Sequence, residues 1–237
     1  MRSVNQQLLM VGVCGAQNTG KSTFINDMIN TDPSKINYHI VEGKTTYREK
    51  IKELNLPINR NGDFSSQKII FDTLCDDFCR EHKMRDEDTV VLMDRTPIDA
   101  LVYTLWLYFF DKQSNITKED IEKLVGRLLK MQRWFDVFVY FPTSMCENIP
   151  LEARENRDIN EEYRNQIDMI FHIVLYFLGE CLYAKLLIMG GDRQERIDKF
   201  IKFLTDAGDE YNDESSAHLL TNGIISGIQD NLKPTER

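Results

Sequence analysis

The sequence predicts an α/β fold with a five-stranded parallel sheet and helices on both faces. Three observations predict it: short apolar segments alternate with longer segments of helical periodicity, no internal repeat appears, and the first apolar segment runs into a glycine-rich turn. Alternating strands and helices form a parallel sheet because each right-handed crossover returns the chain to the same edge. Ligands of such sheets bind at the carboxyl ends of the strands, so the residues after each strand are the candidates for function.

The predicted strands are short, largely apolar segments, and the predicted helices are the longer segments between and after them. The strands are residues 7–14, 38–42, 89–94, 135–141 and 185–189. The helices are residues 22–30, 44–54, 65–83, 97–110, 117–133, 161–183 and 192–204. Residues 1–205 are therefore expected to form one domain.

The C-terminal residues 206–237 are predicted to be an appendage to that domain. A polar linker opens the segment, and apolar residues then recur every four positions, as on one face of a helix. These apolar residues are Leu220, Ile224, Ile228 and Leu232. We expect this helix to dock on the domain or on a partner.

The composition describes an acidic protein with enough apolar residues for a core. Of 237 residues 42% are hydrophobic, and the net charge of −9 argues against strong non-specific binding to duplex DNA. The five cysteines match no zinc-binding spacing, which predicts buried free thiols and a reducing compartment. No secretion signal or membrane-spanning segment is evident, so a cytoplasmic protein without membrane contact is expected.

The turn after the first predicted strand matches G-x-x-x-x-G-K-S, a loop that holds a polyphosphate. Its glycines let consecutive N–H groups face phosphate oxygens, and the following helix adds its positive N-terminal end. Lys21 is expected to reach the β- and γ-phosphates, and the Ser22 hydroxyl to ligate Mg²⁺. The predicted nucleotide-binding residues are Gly15, Ala16, Gln17, Asn18, Thr19, Gly20, Lys21, Ser22 and Thr23.

An acidic and a basic residue, Asp94 and Arg95, follow the apolar residues of the third predicted strand. A carboxylate at this position can bind Mg²⁺ or accept a proton from an attacking hydroxyl. Arg95 can bind a phosphate or carboxylate through two hydrogen bonds. The alternative is that Asp94 pairs with Arg95 at the approach to a helix that Thr96 caps and Pro97 begins.

Charged residues also follow the second predicted strand, among them Glu42 and Arg48. Glu42 has two interpretations: a group that binds a substrate hydroxyl or acts as a base, or part of a solvated helix start.

Roughly residues 142–165 after the fourth predicted strand form a polar, arginine-bearing segment. Such arginines on a mobile lid can close over phosphates and neutralise developing charge. The alternative is a surface helix with ion pairs between residues four apart. The arginines are Arg154, Arg157 and Arg164.

Together these residues resemble the P-loop nucleoside and nucleotide kinases, in particular the bacterial ribosylnicotinamide-kinase-like branch, which includes ATP-binding kinases encoded by bacteriophages. The matching pieces are "GAQNTGKST", the Glu42…Arg48 segment, "LMDRTPIDALVY" and "IPLEARENRD". The likeness covers roughly residues 7–205. The Asp-Arg-Thr stretch resembles the Asp-Arg motif of thymidylate and deoxynucleoside kinases. The resemblance implies a P-loop NTPase fold with a lid.

The resemblance also implies an ATP- and Mg²⁺-dependent kinase that transfers the γ-phosphoryl group to a hydroxyl or phosphate of a nucleoside- or nucleotide-like acceptor. The implied catalytic residues are Lys21, Asp94, Arg95, Arg154 and Arg157. The implied acceptor-binding residues are Glu42, Arg48, Asp94 and Arg95, and the implied metal ligands are Ser22 and Asp94. If a phage encodes the chain, its place is the host cytoplasm.

Two other functions stay open. Some phage relatives are thought to phosphorylate 5-hydroxymethyluracil within DNA, and the acidic net charge counts against that acceptor. The other is a regulatory NTPase switch. The sequence has no guanine-reading N-K-x-D motif, which counts against this function.

Overall fold

The computed structural model of the chain describes residues 8–32, 36, 38–86, 88–111, 114–131, 134–146, 160–179 and 184–206. The expected appendage, apart from Asp206 at the end of the last helix, lies outside these residues, and so does most of the expected lid. The division of the chain at residue 205 therefore stays a prediction.

Five strands form one sheet in the order β2-β3-β1-β4-β5, and every neighbouring pair is parallel. The strands are β1 Leu9–Cys14, β2 His39–Gly43, β3 Thr89–Asp94, β4 Val137–Tyr140 and β5 Lys185–Ile188. The predicted parallel sheet is confirmed. Because all strands run the same way, all their carboxyl ends lie at one edge of the sheet.

The two strands that carry the conspicuous motifs, β1 and β3, lie side by side in the middle of the sheet. All of β3 is buried, and so are five of the six residues of β1. Strands covered on both faces consist of continuous apolar residues, as these do. The Cα atoms of Val13 and Asp94 are paired across the two strands, so the turn after β1 meets the end of β3.

The described residues also contain seven α-helices. They are α1 Lys21–Ile29, α2 Tyr47–Glu53, α3 Phe64–Met84, α4 Pro97–Phe110, α5 Lys118–Lys130, α6 Glu161–Gly179 and α7 Arg193–Asp206. The helix predicted from residue 44 begins at Tyr47. The backbone N–H and the hydroxyl of Thr46 donate to the buried carboxylate of Asp77 on α3. These hydrogen bonds hold the residues before Tyr47 in a non-helical connection.

The helices cover both faces of the sheet, as predicted. One apolar cluster joins the sheet to α3, α4, α5 and α6 through residues such as Phe71, Leu101 and Phe171. A second cluster covers the opposite face with α1 and α7. In that cluster the ring of Phe24 lies 5.3 Å from Phe141 and 5.4 Å from Phe200. Phe24 thereby packs the helix after the glycine-rich turn onto the sheet.

The start of α4 is fixed by a reciprocal cap, as the sequence predicts. The Thr96 hydroxyl accepts from the backbone N–H of Asp99, and the Asp99 carboxylate accepts from the backbone N–H of Thr96. Pro97 occupies the first turn, where its missing N–H costs no hydrogen bond. This cap sets the direction in which the chain leaves the end of β3.

The thiols in the described residues are free. Cys14, Cys75 and Cys146 are buried and Cys79 is half-buried, which confirms the predicted free thiols at these positions, whereas Cys181 lies outside the described residues. Nowhere in the described ranges does a helix combine the length and the apolar character needed to cross a bilayer.

Candidate active site

The turn between β1 and α1, residues 15–20, requires glycine at both ends. Gly15 has φ of +133° and Gly20 has φ of +88°, backbone regions that residues with a side chain avoid. A Cβ atom on Gly15 would lie 2.8 Å from the carbonyl oxygen of Phe141. The first glycine of the motif therefore allows both the turn and the close approach of the chain after β4.

Lys21 at the start of α1 points its ammonium group back into this turn. Its Nζ lies 2.8 Å from the Gly15 carbonyl oxygen and 3.2 Å from Thr19 Oγ1, and it also donates to the Ala16 carbonyl oxygen. Burial and then the charge of Arg95 lower the pKa of Lys21 to about 7. A phosphate beside Lys21 would supply the anionic partner that these oxygens do not.

The P-loop, which we define as residues 15–22, fits a polyphosphate. Its middle residues Gln17, Asn18 and Thr19 are buried, and Asn18 has φ of +56°. A tight turn that runs into a helix N-terminus offers backbone N–H groups and a favourable dipole to an anion. The strand, turn and helix that the motif requires are therefore present, and phosphate binding by these residues stays a prediction.

Asp94 at the end of β3 meets the P-loop through Ser22. The Ser22 hydroxyl donates to Asp94 Oδ2 over 3.2 Å, and Arg48 Nη2 donates to the same oxygen over 2.9 Å. Mg²⁺ at such sites binds one or two carboxylates and completes its shell with phosphate oxygens and waters. A hydroxyl and a carboxylate this close fit that ion, although within the described residues no group of three or more His, Cys, Asp or Glu side chains is placed to hold a metal by itself.

Arg95 connects the end of β3 to the P-loop. Its Nη1 lies 3.1 Å from the Gly15 carbonyl oxygen and 2.7 Å from Asp99 Oδ1, and its backbone N–H donates to the Val13 carbonyl oxygen. Arg95 has φ of +87°, a left-handed conformation that is strained for an arginine. The side chain and backbone contacts hold the residue there.

The alternative ion pair between Asp94 and Arg95 is therefore wrong. Arg95 pairs with Asp99, one helical turn along α4, and Asp94 pairs with Arg48 on α2. Each member of the Asp-Arg motif has its own partner because the strained turn at Arg95 directs the two side chains to different elements.

Aromatic rings accompany both arginines. The Arg48 guanidinium donates to the Tyr47 hydroxyl over 2.9 Å and lies 5.5 Å from the centre of the Tyr47 ring. The Arg95 guanidinium lies 5.9 Å from the centre of the Tyr103 ring. Two cations, two phenols and the Asp94 carboxylate thus gather beside the P-loop, a set that can bind an aromatic and polar molecule.

Glu42 does not join this group. It lies within β2 rather than after it, and its side chain is exposed. Its Cα is paired with Leu92, two residues before the end of β3. Among the described residues no hydrogen bond or ion pair links Glu42 to the other candidates. Its assignment to the acceptor stays a prediction.

The sequence reasoning missed Arg196, which lies on the first turn of α7 beside the P-loop. Its Nη1 donates to the Thr19 carbonyl oxygen over 3.3 Å, its Nε donates to the Gly191 carbonyl oxygen over 3.0 Å, and its guanidinium lies 5.4 Å from the centre of the Phe141 ring. The signal that points to Arg196 is its place just after the fifth strand, because helices that follow strands begin at the edge where ligands bind.

Two of the three arginines of the predicted lid, Arg154 and Arg157, lie outside the described residues, whereas the third, Arg164, lies in the first turn of α6. Of the predicted lid the structure describes the two ends, residues 142–146 and 160–165. At the first end, the backbone N–H and hydroxyl of Thr143 donate to Asp168 on α6. The part of the lid arginines in the site therefore stays a prediction.

Solved structures with the same fold include NadR and a deoxyadenosine kinase. NadR in complex with NR aligns with a TM-score of 0.60 and 20% identity over 90% of this chain and 55% of that chain. NadR in complex with NAD and AMP-PNP aligns with a TM-score of 0.54 and 18% identity over 88% of this chain and 52% of that chain. The chain thus spans about half the length of NadR.

A second similar structure is that of deoxyadenosine kinase from M. mycoides with bound dATP. It aligns with a TM-score of 0.53 and 15% identity over 83% of this chain and 100% of that chain. No protein-family model matches the sequence, and no curated protein is significantly similar to it. At these identities the likenesses establish the fold alone, a five-stranded parallel sheet with helices on both faces.

Proposed function

We propose that the protein is an ATP-dependent kinase that transfers the γ-phosphoryl group to a hydroxyl or phosphate of a nucleoside- or nucleotide-like acceptor. The observation that carries the proposal is the shared oxygen of Asp94. A P-loop serine and an arginine from the opposite side of the site both donate to Asp94 Oδ2. A carboxylate between a phosphate-binding loop and a second set of polar groups suits transfer between two bound molecules.

The P-loop side would bind ATP. Lys21 and the backbone N–H groups of the turn would hold the phosphates, and Ser22 and Asp94 are the residues that would hold Mg²⁺. When bound, Mg²⁺ would neutralise charge on the phosphates. Arg95 donates a hydrogen bond to the Gly15 carbonyl oxygen, so it would hold the ATP-binding turn in a fixed position relative to Asp94.

The acceptor would lie on the side of Arg48, Tyr47 and Tyr103. In the transfer, a bond forms between the acceptor oxygen and the γ-phosphorus while the bond from that phosphorus to the oxygen of the ADP leaving group breaks. A hydroxyl acceptor loses its proton, and Asp94 would accept it. Arg95 and Arg48 would hold the acceptor, and Glu42 would contact it from the edge of the sheet.

Two arginines of the predicted lid, Arg154 and Arg157, are proposed to close over the phosphates during transfer. Closure would exclude water, which competes with the acceptor for the γ-phosphoryl group. The likeness to NadR in complex with AMP-PNP and to deoxyadenosine kinase with dATP supports a nucleotide in this site. A phage-encoded enzyme that modifies 5-hydroxymethyluracil in DNA is a narrower form of the same proposal.

A screen of acceptors tests the proposal. The protein would be incubated with γ-labelled ATP, Mg²⁺ and one candidate acceptor at a time: nucleosides, nucleoside monophosphates, NR, and DNA with and without 5-hydroxymethyluracil. We expect label to move to one chemical class of acceptor, and to stay on ATP in the Lys21→Ala variant. Label that reaches no acceptor, with ATP binding intact, would refute the kinase proposal.

A further inference from the structure

Arg164 is a buried cation that forms no ion pair with the residues that the structure describes. It lies in the first turn of α6 and is 9% exposed. Its Nε has no hydrogen-bond acceptor, and within the described ranges the residue forms no ion pair. A buried arginine without an acceptor is unfavourable, so such residues are rare unless a ligand completes them.

The acid four residues after Arg164 on α6, Asp168, already accepts hydrogen bonds from other residues. Residues four apart on a helix are the usual partners of an ion pair. The Tyr140 hydroxyl donates to Asp168 Oδ1 over 2.7 Å, and the backbone N–H and hydroxyl of Thr143 donate to Asp168 Oδ2 over 3.0 Å and 2.6 Å. Asp168 therefore anchors the chain after β4, and no hydrogen bond or ion pair joins it to Arg164 in the part of the chain that the structure describes.

Arg164 lies at the same edge of the sheet as the P-loop. Helix α6 leads into the parallel strand β5, so its first turn lies at the carboxyl edge. The buried thiol of Cys146 lies among the cations of this edge: burial raises the pKa of Cys146, and the charges of Arg196, Lys21 and Arg164 oppose that rise. Basic side chains of α1, α6 and α7 thus all act on one buried thiol.

The other two cations are also without a carboxylate partner in the described residues. Lys21 donates to two carbonyl oxygens and a hydroxyl, and Arg196 donates to two carbonyl oxygens. Neutral acceptors leave the net charge of the group in place. Three basic side chains that lack a carboxylate partner among the described residues, beside the P-loop, favour one class of ligand, a polyphosphate.

We propose that Arg164 binds phosphate oxygens of the donor nucleotide from the opposite side to the P-loop. The inference rests on the proposed ATP site, and it assigns phosphate binding to a residue of the folded domain in addition to Arg154 and Arg157. Arg164 is preset by α6, so it would contact the phosphates without any ordering of the chain. A preset contact loses less conformational entropy on binding than one made by a closing segment.

Binding of nucleotides of increasing charge tests the inference. Dissociation constants for AMP, ADP and ATP would be measured by calorimetry on the whole chain and on Arg164→Met, Arg164→Lys and the control Arg127→Met. Arg127 lies on α5 and pairs with Asp72, away from the P-loop edge. We expect Arg164→Met to weaken ATP binding roughly 10- to 100-fold, the effect of losing a hydrogen bond to a charged group.

The size of the effect should depend on the phosphates. AMP binding should change least in Arg164→Met, Arg164→Lys should recover part of the ATP affinity, and Arg127→Met should leave all three constants unchanged. The midpoint of thermal unfolding of the free Arg164→Met protein should stay equal or rise, because an unmatched buried charge is removed. A structural role for Arg164 would instead lower that midpoint.

Failure of the inference and failure of the proposed function give different results. ATP affinity that is lost in Lys21→Ala but unchanged in Arg164→Met would overturn the role of Arg164 alone. An equal loss for AMP and ATP, or an Arg164→Met protein that does not fold, would also overturn it. ATP affinity unchanged in both Lys21→Ala and Arg164→Met would overturn the P-loop donor site and with it this inference.

Discussion

Arg48 Nη2 donates to Asp94 Oδ2 over 2.9 Å, which joins helix α2 to the end of β3 across 46 positions of sequence. The same oxygen accepts from the Ser22 hydroxyl of the P-loop. Any ligand that binds this oxygen must share it with, or displace, one of the two donors. Asp94 therefore couples the P-loop side of the site to the Arg48 side, because a change in its contact with one donor affects its contact with the other.

Replacement of Arg48 should impair use of the acceptor. The Arg48 side chain is 63% exposed, so Arg48→Met should change the free energy of unfolding by less than about 0.5 kcal/mol. On the proposed function, kcat/KM for the acceptor should fall about tenfold or more, with the Kd for ATP unchanged. Lys50→Met on the same helix, where Lys50 pairs with Glu53, is the matched control. A loss of ATP affinity equal to the loss of kcat/KM would place Arg48 on the donor side.

Replacement of Asp94 should slow the chemical step more than it weakens ATP binding. Asp94→Asn keeps the size of the side chain and removes the charge that would serve the metal or take the proton. We expect kcat to fall on the order of a hundredfold, as when one group that stabilises the transition state is lost. Single-turnover rates with ATP and acceptor measure this, with Asp72→Asn on α3 as the control. An intact kcat would show that Asp94 has only a structural role.

Gly15, the first glycine of the P-loop, should not tolerate replacement, because any side chain there would clash with the neighbouring backbone. Gly15→Ala adds a Cβ atom 2.8 Å from the Phe141 carbonyl oxygen at φ of +133°, so the free energy of unfolding should fall by about 2 kcal/mol or more. Gly126 in α5 has no atom within 4 Å of the added Cβ, so Gly126→Ala should stabilise the protein by up to about 1 kcal/mol. Urea unfolding curves of both variants compare the two. Equal effects would mean that the turn tolerates a side chain.

The fold and the donor side of the site were predictable because their signals are local. The G-x-x-x-x-G-K-S turn, the apolar strand that ends in Asp94 and the Thr96–Pro97 helix start each depend on residues next to one another in sequence. The hydrophobic periodicity that predicts strands and helices also depends on residues close together in sequence. The connections between successive strands also follow the expectation that parallel strands are linked by helices.

The contacts between elements were not predictable in the same way. The pairing of Arg48 with Asp94 and the contact of Arg196 with Thr19, 177 positions away, depend on how helices pack on the sheet. The predicted start of α2 was wrong because Thr46, just before the helix, donates hydrogen bonds to Asp77, which lies 31 positions later in the sequence. A pattern of neighbouring residues in one sequence does not indicate which residues far apart in sequence come into contact.

Binding of ATP should take up a proton at pH 8. In the free protein burial and Arg95 lower the pKa of Lys21 to about 7, while Asp99, Asp94 and Cys14 oppose the shift, so the amine is mostly neutral at pH 8. A polyphosphate beside Lys21 raises its pKa again, and the amine then gains a proton. The Kd should therefore rise with pH above 7, by up to about tenfold per unit.

Calorimetry in buffers of different ionisation enthalpy, without divalent cations, measures this uptake. We expect close to one proton per ATP at pH 8, and none in Lys21→Arg, whose guanidinium stays charged throughout this range. A Kd independent of pH between 7 and 9, together with no proton uptake, would mean that Lys21 is already charged in the free protein.

The acceptor dependence of ATP turnover tests the proposed kinase activity most directly. ADP release would be followed with ATP and Mg²⁺ alone, and again with the acceptor that the labelling screen identifies, with Lys21→Ala as the background. A kinase should release ADP slowly alone and at least about a hundredfold faster with acceptor, one ADP for each phosphorylated product, because transfer needs the bound partner. ADP release that is equally fast without acceptor, and that yields inorganic phosphate in both cases, would contradict a kinase and indicate an NTPase switch.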